Sequence, residues 1–330
     1  MIRVLYRAAD GTSRTDVRPE EFVSLLQDPQ ALLWVDFEDE PPEVCEPILR
    51  ETFGFHPLAV DDALQESHVP KVDDWGEYLY VVLHAVTLEG SEQDGRVLDT
   101  LELDLFLGRN YLVTHHDEPI AAVDHVWKAG LRDERHLRRG ADHLAYRLAD
   151  SLVADYMPVV EQIDEEIDHL EDQIFDRPTS DTLERIFALK RALLHLRRII
   201  TPQREVLNRL ARDDYAVVDS EDRVFFRDVY DHLVRLHDIN EGLRDLVGGA
   251  LDTYLSVINN RMNEVMKTLT LITTLFMPVS FLAGFFGMNF FAPVVPLEAW
   301  TGIPMYVATL AVMVLTPLGM YLWMRRRGLA

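Results

Sequence analysis

The chain ends in two long apolar stretches that contain no charged side chain. One lies between Lys267 and Glu298, and the other lies between Glu298 and Arg325. Each exceeds the ~20 apolar residues that a helix needs to cross a ~30 Å hydrocarbon layer. The pattern therefore predicts a two-helix transmembrane hairpin, with helices at about 268–288 and 303–324 and an outer loop at about 290–302.

Positive side chains precede the first stretch and follow the second, but none lies between the two stretches. Arg261 and Lys267 precede the first stretch, residues 325–327 are all arginine, and the connecting loop carries no Lys or Arg. The positive-inside rule then places both termini in the cytoplasm. We expect a protein of the cell (inner) membrane that contacts the lipid bilayer and ends in a basic cytoplasmic tail at 325–330.

Short segments alternate before residue 141. Apolar, β-branched and aromatic runs bounded by turn residues predict strands at Ile2–Ala8, Ala31–Phe37, Tyr78–Val86, Leu101–Leu107 and Asn110–His115. Helical periodicity, with proline in the first turn of three segments, predicts helices at Pro19–Gln27, Pro41–Glu51, Pro57–Gln65 and Ile120–Gly130. The fold class is an α+β cytoplasmic domain with an α/β/α-type layer.

The pattern changes near Ala141 to long helical periodicity. One helical region runs through Asp176, and a second runs from Ser180 to about Arg212 after a short turn. A third helix begins near Ser220, and the sequence contains no proline from there until Pro278. One helix is therefore expected to continue from the soluble region into the membrane. The predicted domains are the α/β domain, the long-helix region and the transmembrane domain, at 1–140, 141–267 and 268–330.

The charge balance is strongly acidic. Asp and Glu number 56 against 32 Lys and Arg, a formal net charge of -24, and Glu298 is the one acid after Lys267. Such a domain repels nucleic acid and attracts cations, although acidity also simply keeps a domain soluble. No phosphate-binding glycine loop, nucleophile elbow or His-Glu-x-x-His motif occurs. The sequence therefore predicts neither an enzyme nor an organic cofactor, and no nucleic-acid partner.

A stripe of small, polar and methionine side chains follows the third helix at alternating intervals of four and three residues, which corresponds to a 3.5-residue period. Its members are Asp252, Ser256, Asn259, Asn263, Met266, Thr270, Thr273, Met277, Ser280, Gly284 and Gly287. A helix-packing seam is the simpler explanation, but asparagines followed by spaced methionines favour pore lining. Two helices cannot enclose a channel, so a pore requires several copies of the chain.

The spans contain no ionisable side chain that could form a proton relay or a carboxylate cage. Amide groups and backbone carbonyls can hydrogen-bond to the waters around an ion instead. Mg²⁺ dehydrates reluctantly and keeps several waters, so an uncharged polar ring suits it. Rings of Met266 and Met277 could close such a pore by dewetting.

A histidine pair at the end of a predicted strand suggests a second kind of site. His115-His116-Asp117 could be interpreted as a metal cluster. Adjacent residues of a strand point to opposite faces, however. The sequence therefore favours an ordinary strand end there.

Phe286-Gly-Met-Asn-Phe290 resembles the signature of the CorA family of magnesium channels, which usually has Tyr at the first of these positions. The resemblance extends to further blocks at 263–267, 276–278, 226–232, 56–62 and 70–72. It implies a funnel-shaped homopentamer in which the long first membrane helix lines the pore and passes hydrated Mg²⁺ down its electrochemical gradient.

The resemblance also implies roles for individual residues. Gly287, Met288 and Asn289 resemble the selectivity filter, with Asn289 as the ring that first meets the hydrated ion. The family's pattern selects Leu269 where the stripe selects its neighbour Thr270, and we follow the family. Together, stripe and resemblance predict these pore-lining or gating residues: Asn263, Met266, Leu269, Thr273, Met277, Ser280 and Gly284.

A regulatory Mg²⁺ site between subunits is implied at Asp62 of one chain and Asp228 of its neighbour, with Asp61 close by. A divalent ion between facing carboxylates would convert their repulsion into a bridge and hold the pore shut. Without the resemblance, a solvated helix face for Asp61 and Asp62 and a helix partner for Asp228 would be favoured.

The outer loop departs from the family's pattern, because its one acid for attracting cations, Glu298, comes late. This departure leaves open passage of Co²⁺ or Ni²⁺, or membership in a zinc-transporting branch. A membrane-anchored divalent-cation sensor that conducts nothing is a further alternative, although the polar stripe argues against it.

Overall fold

The computed structural model describes residues 1–65, 69–89, 97–133, 137–176, 178–288 and 302–327. Contacts between residues divide the chain into two compact units, Met1–Leu251 and Asp252–Ala330. The boundaries expected at residues 140 and 267 remain predictions.

One seven-stranded mixed sheet organises the first unit. The sheet order is β2-β1-β3-β7-β6-β5-β4, with β3 and β7 parallel and the other neighbouring pairs antiparallel. The strands are β1 (Ile2–Arg7), β2 (Ser13–Arg14), β3 (Leu32–Glu38), β4 (Lys71–Asp74), β5 (Leu79–Glu89), β6 (Val97–Leu107) and β7 (Tyr111–His116).

The five predicted strands are all present in this sheet. Two further strands, β2 and β4, were not predicted. The first has two residues and the second reads Lys71-Val-Asp-Asp74, so neither carries the apolar alternation on which a sequence-based prediction depends.

Short helices cover one face of the sheet. They are α1 (Phe22–Leu25) after a 3₁₀ turn at Pro19–Glu21, α2 (Pro42–Pro47) continuing into a π-helical turn at Ile48–Thr52, and α3 (Pro57–Ala63). Phe22, Leu49 and Val60 from these segments are fully buried against strand residues such as Val35 and Phe106. This cluster forms the core on that face.

Longer helices follow the sheet in the chain: α4 (Ala121–Arg132), α5 (Ala141–Ala154), α6 (Tyr156–Asp176) and α7 (Ser180–Arg212). Trp34 points away from the first core, and its ring packs on Trp127 of α4 at 4.7 Å between centroids. Helices α5, α6 and α7 also contact the strands. The predicted combination of a sheet layered with helices is confirmed.

The helical region predicted through Asp176 consists of two helices, which are separated by a turn at Asp155. The third residue of α6 is Pro158, which has no N–H to donate to the carbonyl of Ala154. The chain therefore ends one helix and starts the next. The predicted turn before α7 is confirmed, with Thr179 Oγ1 accepting a hydrogen bond from the Thr182 N–H at 3.3 Å.

The third long helix is a single element. Helix α8 spans Arg223–Gly287, 65 residues, without a break at the two glycines 248 and 249 and with Pro278 inside it. The division between the two compact units falls within this helix. Helix α9 spans Ile303–Arg326. The predicted continuation of one helix from the soluble region into the apolar stretch is confirmed.

Both C-terminal helices have the length and composition of membrane spans. Their most apolar 18-residue windows have mean hydropathies of 1.9 in α8 and 1.8 in α9, and neither window is buried within the chain. Apolar surface left in water costs about 25 cal/mol per Å². These helices therefore need a lipid or protein environment that the folded single chain does not supply.

Candidate functional site

The predicted pore-lining residues lie on one uninterrupted length of α8. From Asn263 to Gly287 the helix rises about 36 Å at 1.5 Å per residue, slightly more than a hydrocarbon layer. Met266 and Met277 of the stripe are 55% and 65% exposed, and Phe281, an apolar residue beside the stripe, is 70% exposed. The apolar part of the helix is not buried by other described parts of the chain.

The hydroxyl of Thr273 is satisfied within its own helix. Its Oγ1 donates a hydrogen bond of 2.9 Å to the carbonyl of Leu269, and Thr268 does the same toward Glu264. The threonine oxygens keep their lone pairs as acceptors. At Thr273 the stripe can therefore accept a hydrogen bond from water or contact a cation, but its hydroxyl proton is already used.

The signature tripeptide begins where α8 ends. Gly287 is the last helical residue, and the Met288 N–H donates to the Phe285 carbonyl at 3.3 Å. A Cβ added at Gly284 or Gly287 would meet no atom within 4 Å in the described part of the chain. Within the described part of one chain, no neighbouring atom requires glycine at either position. Asn289 and Glu298 lie outside the described residues.

The carboxylates predicted to hold regulatory Mg²⁺ lie at the end of α3. His56 caps this helix through Nδ1, which accepts a hydrogen bond of 3.2 Å from the Leu58 N–H. One turn further on, Asp61 Oδ1 receives a hydrogen bond of 2.5 Å from Arg50. Asp62 accepts a hydrogen bond from the Lys71 ammonium group. Both carboxylates are therefore ion-paired rather than simply solvated.

Lys71 is shared between two acids, because its Nζ also lies 3.3 Å from Asp73 Oδ2. Partial burial disfavours the charged form of Lys71, but the hydrogen bond that it donates to Asp62 and the attraction of Asp73 outweigh burial and raise the pKa of Lys71. Its ammonium group also lies 5.0 Å from the centre of the Tyr80 ring. A cation approaching Asp62 would meet a positive charge already in place.

Asp228 lies near the start of α8 and is exposed. It makes no ion pair or hydrogen bond within the described residues, whereas its neighbours Arg227 and Asp231 pair with each other at 3.5 Å. Asp228 is therefore not held by a helix partner. No group of three His, Cys, Asp or Glu side chains able to hold a metal ion forms among the described residues, and one chain does not assemble the predicted regulatory site.

The adjacent histidines at the end of β7 point to opposite faces, as expected. His115 Nδ1 lies 3.7 Å from Asp104, and His116 Nε2 lies 3.3 Å from Asp36. They do not form one cluster with each other.

Lys71 and Arg50 are partners that the sequence did not identify as part of the site. Lys71 belongs to a block that resembles the family, but its pairing with Asp62 depends on β4, which was not predicted. Arg50 lies 11 residues before Asp61 and reaches it from the π-helical turn.

The order of the elements, a mixed sheet, then long helices, then a pair of apolar helices, matches a known membrane transporter. The complete structure of the CorA magnesium transporter from Methanocaldococcus jannaschii superposes with a TM-score of 0.82 at 23% identity, covering 100% of this chain and 99% of that chain. The full-length CmaX protein superposes with a TM-score of 0.74 at 23% identity, covering 98% of this chain and 96% of that one. The chain therefore has the fold of these two proteins.

The sequence comparisons identify the family. Residues 29–326 match the model of the CorA-like Mg²⁺ transporter protein family. A cobalt/magnesium transport protein CorA from Thermotoga maritima is 40% identical over 265 residues, 79% of this chain and 74% of that protein. A putative metal ion transporter, YfjQ, from Bacillus subtilis is 34% identical over 298 residues, 90% of both chains. The chain belongs to the CorA family of divalent-cation transporters, and the predicted resemblance is confirmed.

Proposed function

We propose that the protein is a homopentameric channel that passes hydrated Mg²⁺ into the cytoplasm down its electrochemical gradient. The observation that carries the proposal is the stripe on α8, which ends at the signature tripeptide. Apolar flanks can face lipid while the stripe faces an axis shared by several copies. The number five comes from the family resemblance, and Mg²⁺ from that resemblance and from the names of its relatives.

The glycines at the outer end of α8 support close contact between copies. No atom of the described chain lies near the missing side chains of Gly284 and Gly287. Small residues let membrane helices approach one another closely. Five copies of α8 around an axis would use this space, and they would bring five Asn289 side chains to one ring at the outer entrance.

The chemistry of the stripe suits an ion that keeps its water. Amide groups, threonine oxygens and backbone carbonyls can hydrogen-bond to bound waters but cannot replace a full shell around a bare Mg²⁺. The part of α8 between Thr268 and Gly287 carries no charged side chain. Because Mg²⁺ carries two positive charges, the membrane potential would drive its entry. Its contribution is about 2.3 kcal/mol per elementary charge for each 100 mV.

Both termini are proposed to face the cytoplasm, in the cell membrane. The basic end of α9 supports this orientation, because Arg325 and Arg326 form its last turn and the Arg327 guanidinium lies 5.2 Å from the centre of the Trp323 ring. A tryptophan with a cation on its face fits the boundary between lipid and water.

Cytoplasmic Mg²⁺ bound between subunits is proposed to close the channel. Asp228 supports this role because it is exposed and has no partner within the described residues of its own chain. Asp62 would supply the opposite carboxylate, with Asp61 beside it. Bound ions would favour the closed state only to the extent that they bind it more tightly than the open one.

Purified full-length protein in planar bilayers or excised patches tests the channel. We expect an Mg²⁺ current when the cytoplasmic side is free of Mg²⁺, and closure when Mg²⁺ is added there. Asn289→Ala should change conductance or selectivity. Absence of any current from a folded oligomer would favour a non-conducting sensor, and a Zn²⁺ flux without an Mg²⁺ flux would favour the zinc-transporting branch.

The regulatory site has a matched control on the same helix. Asp228→Ala should raise the Mg²⁺ concentration needed for closure while leaving the open current unchanged. Asp231→Ala removes an exposed carboxylate one turn away, one that pairs with Arg227, and should have a smaller effect. Equal effects of the two substitutions would indicate general loss of negative charge rather than a site at Asp228.

A further inference from the structure

Four ionisable side chains from three strands meet on one face of the sheet. His84 of β5 stands opposite Glu102 of β6, and Asp104 of β6 stands opposite His115 of β7. Glu102 and Asp104 are two residues apart, so they share a face. The four line a cavity of about 460 Å³ that also contains His195 of α7.

These groups are removed from water. His84, Asp104 and His115 are each 2% exposed. His115 lines this cavity, and its buried Nδ1 atom has no hydrogen-bond partner in the described part of the chain. Leaving a buried polar atom unpaired is unfavourable, so the His115 ring nitrogen is available to a ligand inside the cavity.

The spacing within each pair fits a shared ion better than a hydrogen bond. His115 Nδ1 lies 3.7 Å from Asp104 Oδ2, and His84 Nε2 lies 3.6 Å from Glu102 Oε2. Direct N–H···O bonds are about 2.7–3.2 Å long. Two ligands of one tetrahedral ion, each ~2.1 Å from it, stand about 3.4 Å apart. A small contraction of either pair would reach that separation.

Asp104 is also oriented as a ligand would be. Its Oδ1 accepts a hydrogen bond of 2.6 Å from the Tyr80 hydroxyl, which leaves Oδ2 directed toward His115. Such support from a second side chain is usual for carboxylates that bind metals.

The lining residues select a cation of a particular kind. Five are carboxylates and no Lys or Arg is among those that the structure describes, so an anion would be repelled. Imidazole nitrogen combined with carboxylate oxygen suits Zn²⁺, Co²⁺ and Ni²⁺, whereas Mg²⁺ prefers oxygen ligands and water.

We propose that this cavity binds a transition-metal dication within a single subunit, with His115 and Asp104 as its first ligands and His84 and Glu102 closing around it. No three such groups among the described residues are in coordinating positions as placed, so binding requires the two pairs to move together. The proposed ligands are different residues from those of the stripe and from Asp62 and Asp228, and the proposal does not depend on the proposed channel function.

Metal binding to untagged full-length protein tests the proposal. After treatment with EDTA, the protein is titrated with Zn²⁺ by calorimetry, and with Co²⁺ by its visible absorption, in about 10 mM Mg²⁺ to occupy oxygen-only sites. We expect one equivalent per chain. His115→Gln and Asp104→Asn should each weaken binding at least about tenfold, since loss of even a supporting contact costs a metal site that much.

His125→Gln is the matched control, because it removes an exposed imidazole from α4 of the same unit and should leave binding unchanged. If either cavity variant fails to fold, Glu102→Gln replaces it. Absence of binding in the presence of Mg²⁺ would overturn the proposal. Affinity that is unchanged in folded His115→Gln, or lowered equally in His125→Gln, would also overturn it.

Discussion

Lys71 should set how much cytoplasmic Mg²⁺ is needed to close the proposed channel. Its ammonium group is hydrogen-bonded to Asp62 and lies 3.3 Å from Asp73. An ion that binds Asp62 must displace this group or tolerate it nearby. Lys71→Met removes the charge but keeps a stem of similar length over the Tyr80 ring.

The size of the effect follows from the charges. A dication about 4 Å from an ammonium group is repelled by about 2 kcal/mol even in bulk water. The Lys71 and Asp62 side chains are 30% and 47% exposed, so salt screening reduces the net effect to about 1 kcal/mol. That corresponds to roughly fivefold tighter Mg²⁺ binding at each site.

Current recordings at several cytoplasmic Mg²⁺ concentrations provide the assay. In Lys71→Met the half-inhibiting concentration should fall about fivefold, and the difference should shrink at high salt. Lys71→Arg should resemble the wild type, because it keeps the charge. Lys128→Met removes an exposed lysine that pairs with Asp124 on α4 and should have no effect.

An unchanged or higher half-inhibiting concentration in Lys71→Met would contradict competition between Lys71 and the ion. A fall that persists when Asp62 is replaced by Asn would also contradict it, since the proposed competition is for that carboxylate. The double variant therefore separates local competition from a general change of charge.

Two further predictions concern the pore and the soluble core. The first uses a variant without the buried Cys45. In it, Thr273→Cys should let a charged thiol reagent block the current, whereas Leu275→Cys should not, because residue 275 lies about 200° around the helix from residue 273. Block at both positions would argue against pore lining by the stripe. Asp36→Asn removes the buried carboxylate that lies 2.8 Å from Arg3 Nε and leaves the guanidinium with Asp124 and Glu38. The loss of this charged hydrogen bond should cost about 2 kcal/mol at pH 7 in thermal unfolding. Burial opposes the charge of Asp36, but its hydrogen bonds and cationic neighbours outweigh burial and lower its pKa. The wild type should therefore be more stable than Asp36→Asn above about pH 4, and this difference in stability should disappear as the pH falls through the lowered pKa of Asp36.

Local sequence patterns were sufficient for much of this fold. The apolar stretches of α8 and α9 and the absence of proline between Ser220 and Pro278 predicted a helix that the structure extends over 65 residues. The break at Asp155 was missed because Pro158 lies one turn beyond it, in a position that a new helix also tolerates. Strand β4 was missed because its residues are mostly charged.

The candidate sites show where a single sequence stops being informative. The sequence suggests His115 only as one of two adjacent histidines, and the structure places these two side chains on opposite faces of the sheet. Asp104, Glu102 and His84, which share the face of the sheet with His115, come from other strands and are placed by cross-strand register. Register depends on how whole strands pair, so no local pattern reveals it.

Pro278 leaves a main-chain carbonyl of α8 without its regular hydrogen bond. Because it has no N–H, the carbonyl of Thr274 one turn earlier lacks its regular helical hydrogen bond. In hydrocarbon an unsatisfied carbonyl is costly, so it must find another donor or a solvated surface. In a symmetric oligomer, these carbonyl groups would form a ring of main-chain dipoles about halfway along α8. Substitutions of the Thr274 side chain would leave this ring intact.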